Sequence, residues 1–274
     1  MLSSIVDIPS LQSCDTDASR SPRGLLRVGR RLAKRCWLDT KTINKPRVFC
    51  QNSGGCGSTY IARLLRENGV ERAAHEKTPD LLQIGLDHFE NPLPEKRLVR
   101  LLRYTRHNTF FEANNRLFSL TRELAIAFPN ARFIHLHRDA VETVRSSLSK
   151  RDLANYLATD IRFRGTLAGP HHSDMFERFC FHWANMNRRI HDDLTYVQSQ
   201  GFIVNNLQFE DLIAGRVENL EQALGDSLSK KQIRAVNVRP NRPEGRFPAW
   251  SEWTKNQQQT FETICGPVMA LLNR

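Results

Sequence analysis

The residues with the clearest chemical use are Gly54, Gly55, Cys56, Gly57, Ser58, Thr59 and Tyr60, inside the stretch FCQNSGGCGSTYIARLL (49–65). An apolar run enters a glycine-rich turn, and an amphipathic helical pattern leaves it. Such a turn can hold an anion. Glycine permits positive φ and close backbone approach, and the open N–H groups of a helix start point at the ligand. Ser58 and Thr59 can cap and donate. A triphosphate-binding loop of the form G-x-x-x-x-G-K-[ST] also needs Lys after its last glycine. Ser58 stands there, which disfavours triphosphate hydrolysis and kinase chemistry. What remains is a phosphate cradle without its usual cation.

Such a loop must be held between a strand and a helix, and the flanking sequence supplies both. RVFC (47–50) reads as a short buried strand, and STYIARLLREN as a helix closed by Gly69. EKRLVRLLRYTR and NRLFSLTRELAIAF repeat apolar residues at helical spacing. The turn PNA (129–131) leads into RFIHLH, a strand rich in β-formers, and AVETVRSSLSK is the helix after it. Residues 175–198 form a long helical pattern, FIVNNL a third strand, and WTKNQQQTFETICGPVMALL a terminal helix. Strands alternating with helices predict an α/β fold of three layers, α/β/α, around a central parallel sheet. RFRGTLAGPHHSD, within 160–174, reads as a loop because Gly, Pro and His cluster there.

Charge is unevenly spread along the 274 residues. The formal excess is +11, yet residues 20–35 (RSPRGLLRVGRRLAKR) hold seven basic side chains and no acid. The rest of the chain is only mildly basic, which suits an anionic small ligand without calling for a specific nucleic acid. Residues 1–45 are expected to be a weakly structured basic arm, with 46–274 a single domain. Leucines mixed among the arginines make 20–35 a candidate for weak contact with a membrane surface or a polyanion. Six scattered cysteines without a C-x-x-C pair point to a reducing compartment. No apolar run approaches a membrane span, so a cytoplasmic location is expected.

GCGSTYIARLL resembles the 5′-phosphosulfate loop of the PAPS-dependent sulfotransferases, in which a [KR]-[SC]-G-[ST]-T run opens the first helix. Cys56, Gly57, Ser58 and Thr59 match, and the loop cation falls on Gly55. FPNARFIHLHRDAVETVRSSLSK is similar to the family's second motif, a strand ending in Arg-Asp with a Ser eight residues after the Arg. The resemblance assigns Arg138 and Ser146 to the 3′-phosphate of PAPS. FIVNNLQFEDLIAG and the Trp-rich RPEGRFPAWSEWTKNQQQTFETICG are weaker matches. Helix capping is the plainer use of Glu210 and Asp211, and packing that of Trp183, Trp250 and Trp253. The resemblance implies a P-loop-like sulfotransferase fold, PAPS as co-substrate and sulfuryl transfer to a hydroxyl or amine acceptor.

For the base, the family points to AAHEKTPD (73–80), which follows the loop helix closely enough to return to the mouth of the site. Glu76 matches a catalytic Glu of several family branches, and His75 could do the same proton chemistry. Lys77 is the candidate to replace the missing cation, with Arg116 in reserve. Glu112 resembles the Glu of a related motif, with a helix-start acid as its plain reading. No metal is implied, since His135 and His137 on one strand read as packing. The acceptor, whether saccharide, lipid, peptide or small alcohol, is left open, as is a non-catalytic nucleotide- or polyanion-binding protein with a degenerate loop.

Overall fold

The computed structural model describes residues 47–70, 72–76, 79–104, 110–149, 174–225 and 247–273. Five short strands form one sheet: β1 (Val48–Gln51), β2 (Ala73–His75), β3 (Phe111–Ala113), β4 (Arg132–His137) and β5 (Ile203–Gln208). Their spatial order is β2-β3-β1-β4-β5, and every neighbouring pair is parallel. All the carboxyl ends therefore face one edge, where ligands sit in open parallel sheets.

The helices are α1 (Ser58–Glu67), α2 (Pro79–Glu90), α3 (Glu95–Tyr104), α4 (Thr121–Ala127), α5 (Ala140–Leu148), α6 (Met175–Ser199), α7 (Phe209–Ile213), α8 (Glu218–Leu224) and α9 (Lys255–Leu272). β1 is buried along its whole length, as a central parallel strand covered on both faces should be. Val48, Cys50 and Ile134 pack on one face with Ile61 and Leu64 of α1 and Leu220 of α8. Phe49 and Phe133 turn the other way, onto Leu98 of α3, Leu124 of α4 and Ile190 of α6. This alternation makes the sheet the middle of three layers. A further cluster joins α5, α6 and α9 through Val144, Phe179, Trp183, Trp253 and Phe261.

Side-chain caps fix where α5, α6 and α9 begin. Asp139 accepts from Glu142 N at the start of α5, and Asp174 from Glu177 N at the start of α6. Thr254 and Gln257 exchange hydrogen bonds in a capping box at α9.

The sequence pattern revealed three of the five strands. β2 and β3, three residues each, lie inside AAHEKTPD and FEANNRLF and are too short for periodicity to register. Glu112 consequently sits within a strand, not at a helix start. NRLFSLTRELAIAF is not one helix. A 3-10 turn, Leu117–Ser119, precedes α4, and Ser119 Oγ donates to the carbonyls of Gly85 and Arg116. The basic arm, Lys77 and residues 160–173 lie outside the described residues. Among the described residues no helix is long and apolar enough to cross a membrane.

Candidate active site at the carboxyl edge of the sheet

The loop Asn52–Gly57 joins β1 to α1. Gly54, Gly55 and Gly57 take φ of 86°, 69° and 84°, a left-handed region where side chains are strained. No side chain caps α1, and its first helical bond runs from Ile61 N to Gly57 O at 3.0 Å. Among the described residues nothing accepts from the N–H groups of Ser58, Thr59 and Tyr60. Gly57 is also sterically required, because a Cβ there would fall 2.2 Å from the Phe209 ring. That ring meets Tyr60 edge-on at 5.7 Å and lies 5.4 Å beneath the Arg138 guanidinium. Phe209 is a site residue that the sequence reading passed over, since nothing in QFEDL marks it off from a core aromatic.

Buried polar groups hold the loop from below. Asn52 Oδ1 accepts from Gly54 N at 2.9 Å. His182 of α6 donates from Nε2 to Ser53 O at 3.0 Å, and Asn187 Nδ2 donates to Ser53 Oγ at 3.2 Å. Asn187 Nδ2 also reaches Trp183 O, which turns its Oδ1 toward His135 Nε2, 3.0 Å away. His135 must therefore donate from Nε2. It does so as a neutral ring, because burial and neighbouring His137 push its pKa down to about 3. His135 and His137, with rings 5.6 Å apart, are packing elements, as the sequence suggested. Cys56 donates to Gly54 O, and burial pushes its thiol up, so it is a neutral packing group rather than a nucleophile.

Arg138 leaves the end of β4 and reaches back to the loop, with Nη1 donating to Gly55 O at 3.4 Å. Glu142 lies 3.5 Å from Nη2 and Glu210 3.8 Å from Nε, yet Nε has no hydrogen-bond acceptor. Glu210 Oε1 accepts from Asp139 N, so it supports the start of α5 much as a cap would. Ser146 lies two turns along α5, half-buried. Thr143 and Ser147, not singled out from the sequence, flank the loop tip: an added Cβ at Gly55 would meet them at 3.6 and 4.0 Å.

Both candidate bases sit at the end of β2. His75 Nε2 is 3.5 Å from Thr59 Oγ1 in the first turn of α1 and 3.9 Å from Glu76 Oε1. Burial holds the His75 imidazole below its ordinary range; Glu76 opposes this and Arg66 adds to it. Glu76 N donates to Ala113 O of β3 at 3.2 Å. Its φ is +50°, and it is the one non-glycine residue with positive φ among the described residues. Arg116 follows β3, half-buried, and among the described residues its guanidinium has no ion-pair or hydrogen-bond partner. Trp183 and Trp253 are buried in packing, and Trp250 meets Trp253 at a tilt and Phe261 edge-on. Among the described residues no cluster of three His, Cys, Asp or Glu could hold a metal ion.

The model of the Sulfotransferase family matches residues 58–225, more than half of the chain. Among solved structures, the sulfotransferase domain from the curacin biosynthetic pathway aligns at 14% identity with a TM-score of 0.38, covering 65% of this chain and 72% of its own. A sulfotransferase from Alicyclobacillus acidocaldarius aligns at 14% identity with a TM-score of 0.42, covering 84% and 96%. No curated protein matches the chain. By the match over residues 58–225, the chain belongs to the Sulfotransferase family.

Proposed function

We propose that this protein moves a sulfuryl group from PAPS to a hydroxyl or amine acceptor by in-line displacement. The observation that carries this reading is the contact between Arg138 and the Gly55 carbonyl, which joins residues 83 apart in the chain. It sets a guanidinium, its Nε buried without a hydrogen-bond acceptor among the described residues, beside a glycine loop where no described side chain caps the helix start. Two anion sites sharing an edge are what a ligand with a 3′-phosphate and a 5′-phosphosulfate requires.

In this reading Gly54–Gly57 and the N–H groups of Ser58, Thr59 and Tyr60 hold the 5′ side, while Arg138 and Ser146 hold the 3′-phosphate. Glu76 accepts the proton of the acceptor hydroxyl, with His75 as the alternative base, its pKa held below the ordinary imidazole range by partial burial. The acceptor O–S bond forms as the S–O bond to the 5′-phosphate breaks, and the electron pair leaves with adenosine 3′,5′-bisphosphate. Positioning and charge compensation dominate such a transfer. Arg116 supplies positive charge beside the loop, with Lys77 the further candidate. Residues 46–274 make up the catalytic domain, and 20–35 serve as a weak contact for a membrane surface or polyanion. The acceptor is a saccharide, lipid, peptide or small alcohol.

Calorimetric titration with adenosine 3′,5′-bisphosphate, AMP and ATP tests this. Tight binding that needs the 3′-phosphate is expected, weakened by roughly 2–3 kcal/mol in Arg138→Ala through loss of hydrogen bonds to a charged group. Equal affinity for AMP would overturn the reading. A second reading, a nucleotide-binding protein without catalysis, is favoured by one observation: the position of the family's loop cation is Gly55, an exposed loop tip. Selective binding without turnover across an acceptor screen would establish it.

A further inference from the structure

With Gly55 in the cation's place, the loop itself offers only backbone N–H groups and hydroxyls to a sulfuryl group. Three buried amides stand at the same edge. Gln51, Asn52 and Asn114 are each 0% exposed, at the ends of adjacent strands. Asn114 N donates to Cys50 O at 3.0 Å, which sets Asn114 beside the Gln51–Asn52 exit of β1.

The orientation of two of these amides is fixed by what they accept. Asn52 Oδ1 takes the Gly54 N–H at 2.9 Å, and Asn114 Oδ1 takes the Arg116 N–H at 2.8 Å. A backbone N–H can only donate, so each NH2 group must point elsewhere. Among the described residues neither Asn52 Nδ2 nor Asn114 Nδ2 finds an acceptor, and Gln51 Nε2 is in the same state, its Oε1 taken by Thr121 Oγ1. Buried donors are nearly always paired, and an orphan one is costly. Three together, on the edge that carries the glycine loop and Arg116, whose guanidinium has no partner among the described residues, call for an acceptor from beyond those residues. Neutral N–H donors held rigidly suit an oxyanion.

We propose that the NH2 groups of Asn52 and Asn114, seconded by Gln51 Nε2, bind the non-bridging oxygens of the transferring sulfuryl group. They do as fixed dipoles part of what a loop cation does by charge. This rests on the PAPS reading above. The sulfuryl oxygens stay on sulfur as the bond to the 5′-phosphate breaks and the bond to the acceptor forms, so the amides hold the group on both sides of the transfer.

The test compares PAPS with adenosine 3′,5′-bisphosphate, which lacks only the sulfuryl group, and needs no acceptor. Asn52→Asp and Asn114→Asp keep the oxygen that accepts from Gly54 or Arg116 but replace the NH2. Asn114→Ala removes the side-chain amide without burying a charge. In Asn114→Ala the expected result is affinity for the bisphosphate within about threefold of the unchanged protein, with PAPS affinity lowered at least about tenfold, as loss of a hydrogen bond to a charged group entails. The two Asp variants, whose added charge also repels the 5′-phosphate, should lose more affinity for PAPS than for the bisphosphate. Equal losses for the two ligands would place the amides on a phosphate and overturn the proposal. Unchanged affinity for both in folded variants would mean that water satisfies these donors, and would also overturn it. An unchanged protein that binds neither ligand would sink the PAPS reading first, and this proposal with it.

Discussion

The glycine loop and the exit of β2 meet at one edge of the sheet but are built in opposite ways. Asn52 and Ser53 are buried, and Ser53 is gripped by His182 and Asn187 from a 25-residue helix. Three glycines set the loop's path, and Phe209 closes it from above. At the β2 exit, His75 and Glu76 keep 25% and 32% of their side chains exposed, and Glu76 is tied to β3 by one backbone bond of 3.2 Å. A loop fixed from several sides keeps its N–H groups aimed before any ligand arrives, which binding an anion demands. A base that must meet acceptor and solvent needs access more than rigidity. In the proposed reading the contrast separates a binding half from a chemical half, and each half should fail in its own way.

The largest effect should come from the binding half. Gly57→Ala adds a Cβ at φ 84° that meets the Phe209 ring at 2.2 Å. Strain and overpacking together should cost roughly 4 kcal/mol. Thermal melts should show the loss, and nucleotide affinity should fall with it. A variant as stable as its parent would mean that Phe209 swings aside and the loop is less constrained than its contacts imply.

Acid should also strike the buried half. His135 titrates at about 3 in the folded protein, below its ordinary value of 6.5. The unfolded chain therefore takes up the proton first as pH falls. The stability His135 contributes is intact above about 6.5 and drains away toward 3. From pH 6.5 to 4.5 the loss for this one group should be roughly 2 kcal/mol. Chemical denaturation at the two pH values, beside His135→Gln, checks it: Gln keeps an N–H for Asn187 Oδ1 but cannot titrate, so its slope should be shallower. Equal slopes would remove His135 as the source.

The same division governs what could be read from the sequence. Glycines at positive φ, a strand ending at Arg138 and a serine eight residues on are local patterns, so the loop and its partner helix were legible. The alternation of strand and helix was enough for the layered parallel fold. β2 and β3 escaped because three residues carry no period, although they deliver Glu76 and Asn114. Phe209, Thr143, Ser147, His182 and Asn187 escaped for another reason. Their roles arise from tertiary contact with the loop across 88 to 152 positions of the chain, and nothing in their own neighbourhoods marks them.

In the chemical half, Glu76→Gln should leave affinity for adenosine 3′,5′-bisphosphate intact and lower turnover by roughly 10², the usual worth of a positioned base. The readout is single-turnover kinetics with whichever acceptor a screen yields. Full activity in Glu76→Gln would transfer the role to His75, whose ring lies 3.5 Å from Thr59.

The smallest effect has the opposite sign, and it tests why Glu76 stands where it does. A glutamate at φ +50° is strained, and such strain persists where function holds it in place. Glycine takes that conformation freely. Glu76→Gly should therefore raise stability by roughly 1 kcal/mol, or a few degrees in Tm, while turnover falls as it does in Glu76→Gln. A gain in stability bought by loss of activity is what separates a residue kept for chemistry from one kept for the fold. If Glu76→Gly is less stable instead, the left-handed turn is one that the carboxylate supports through its neighbours. Glu76 would then belong with the residues that shape the edge, and His75 would be left to take the acceptor's proton.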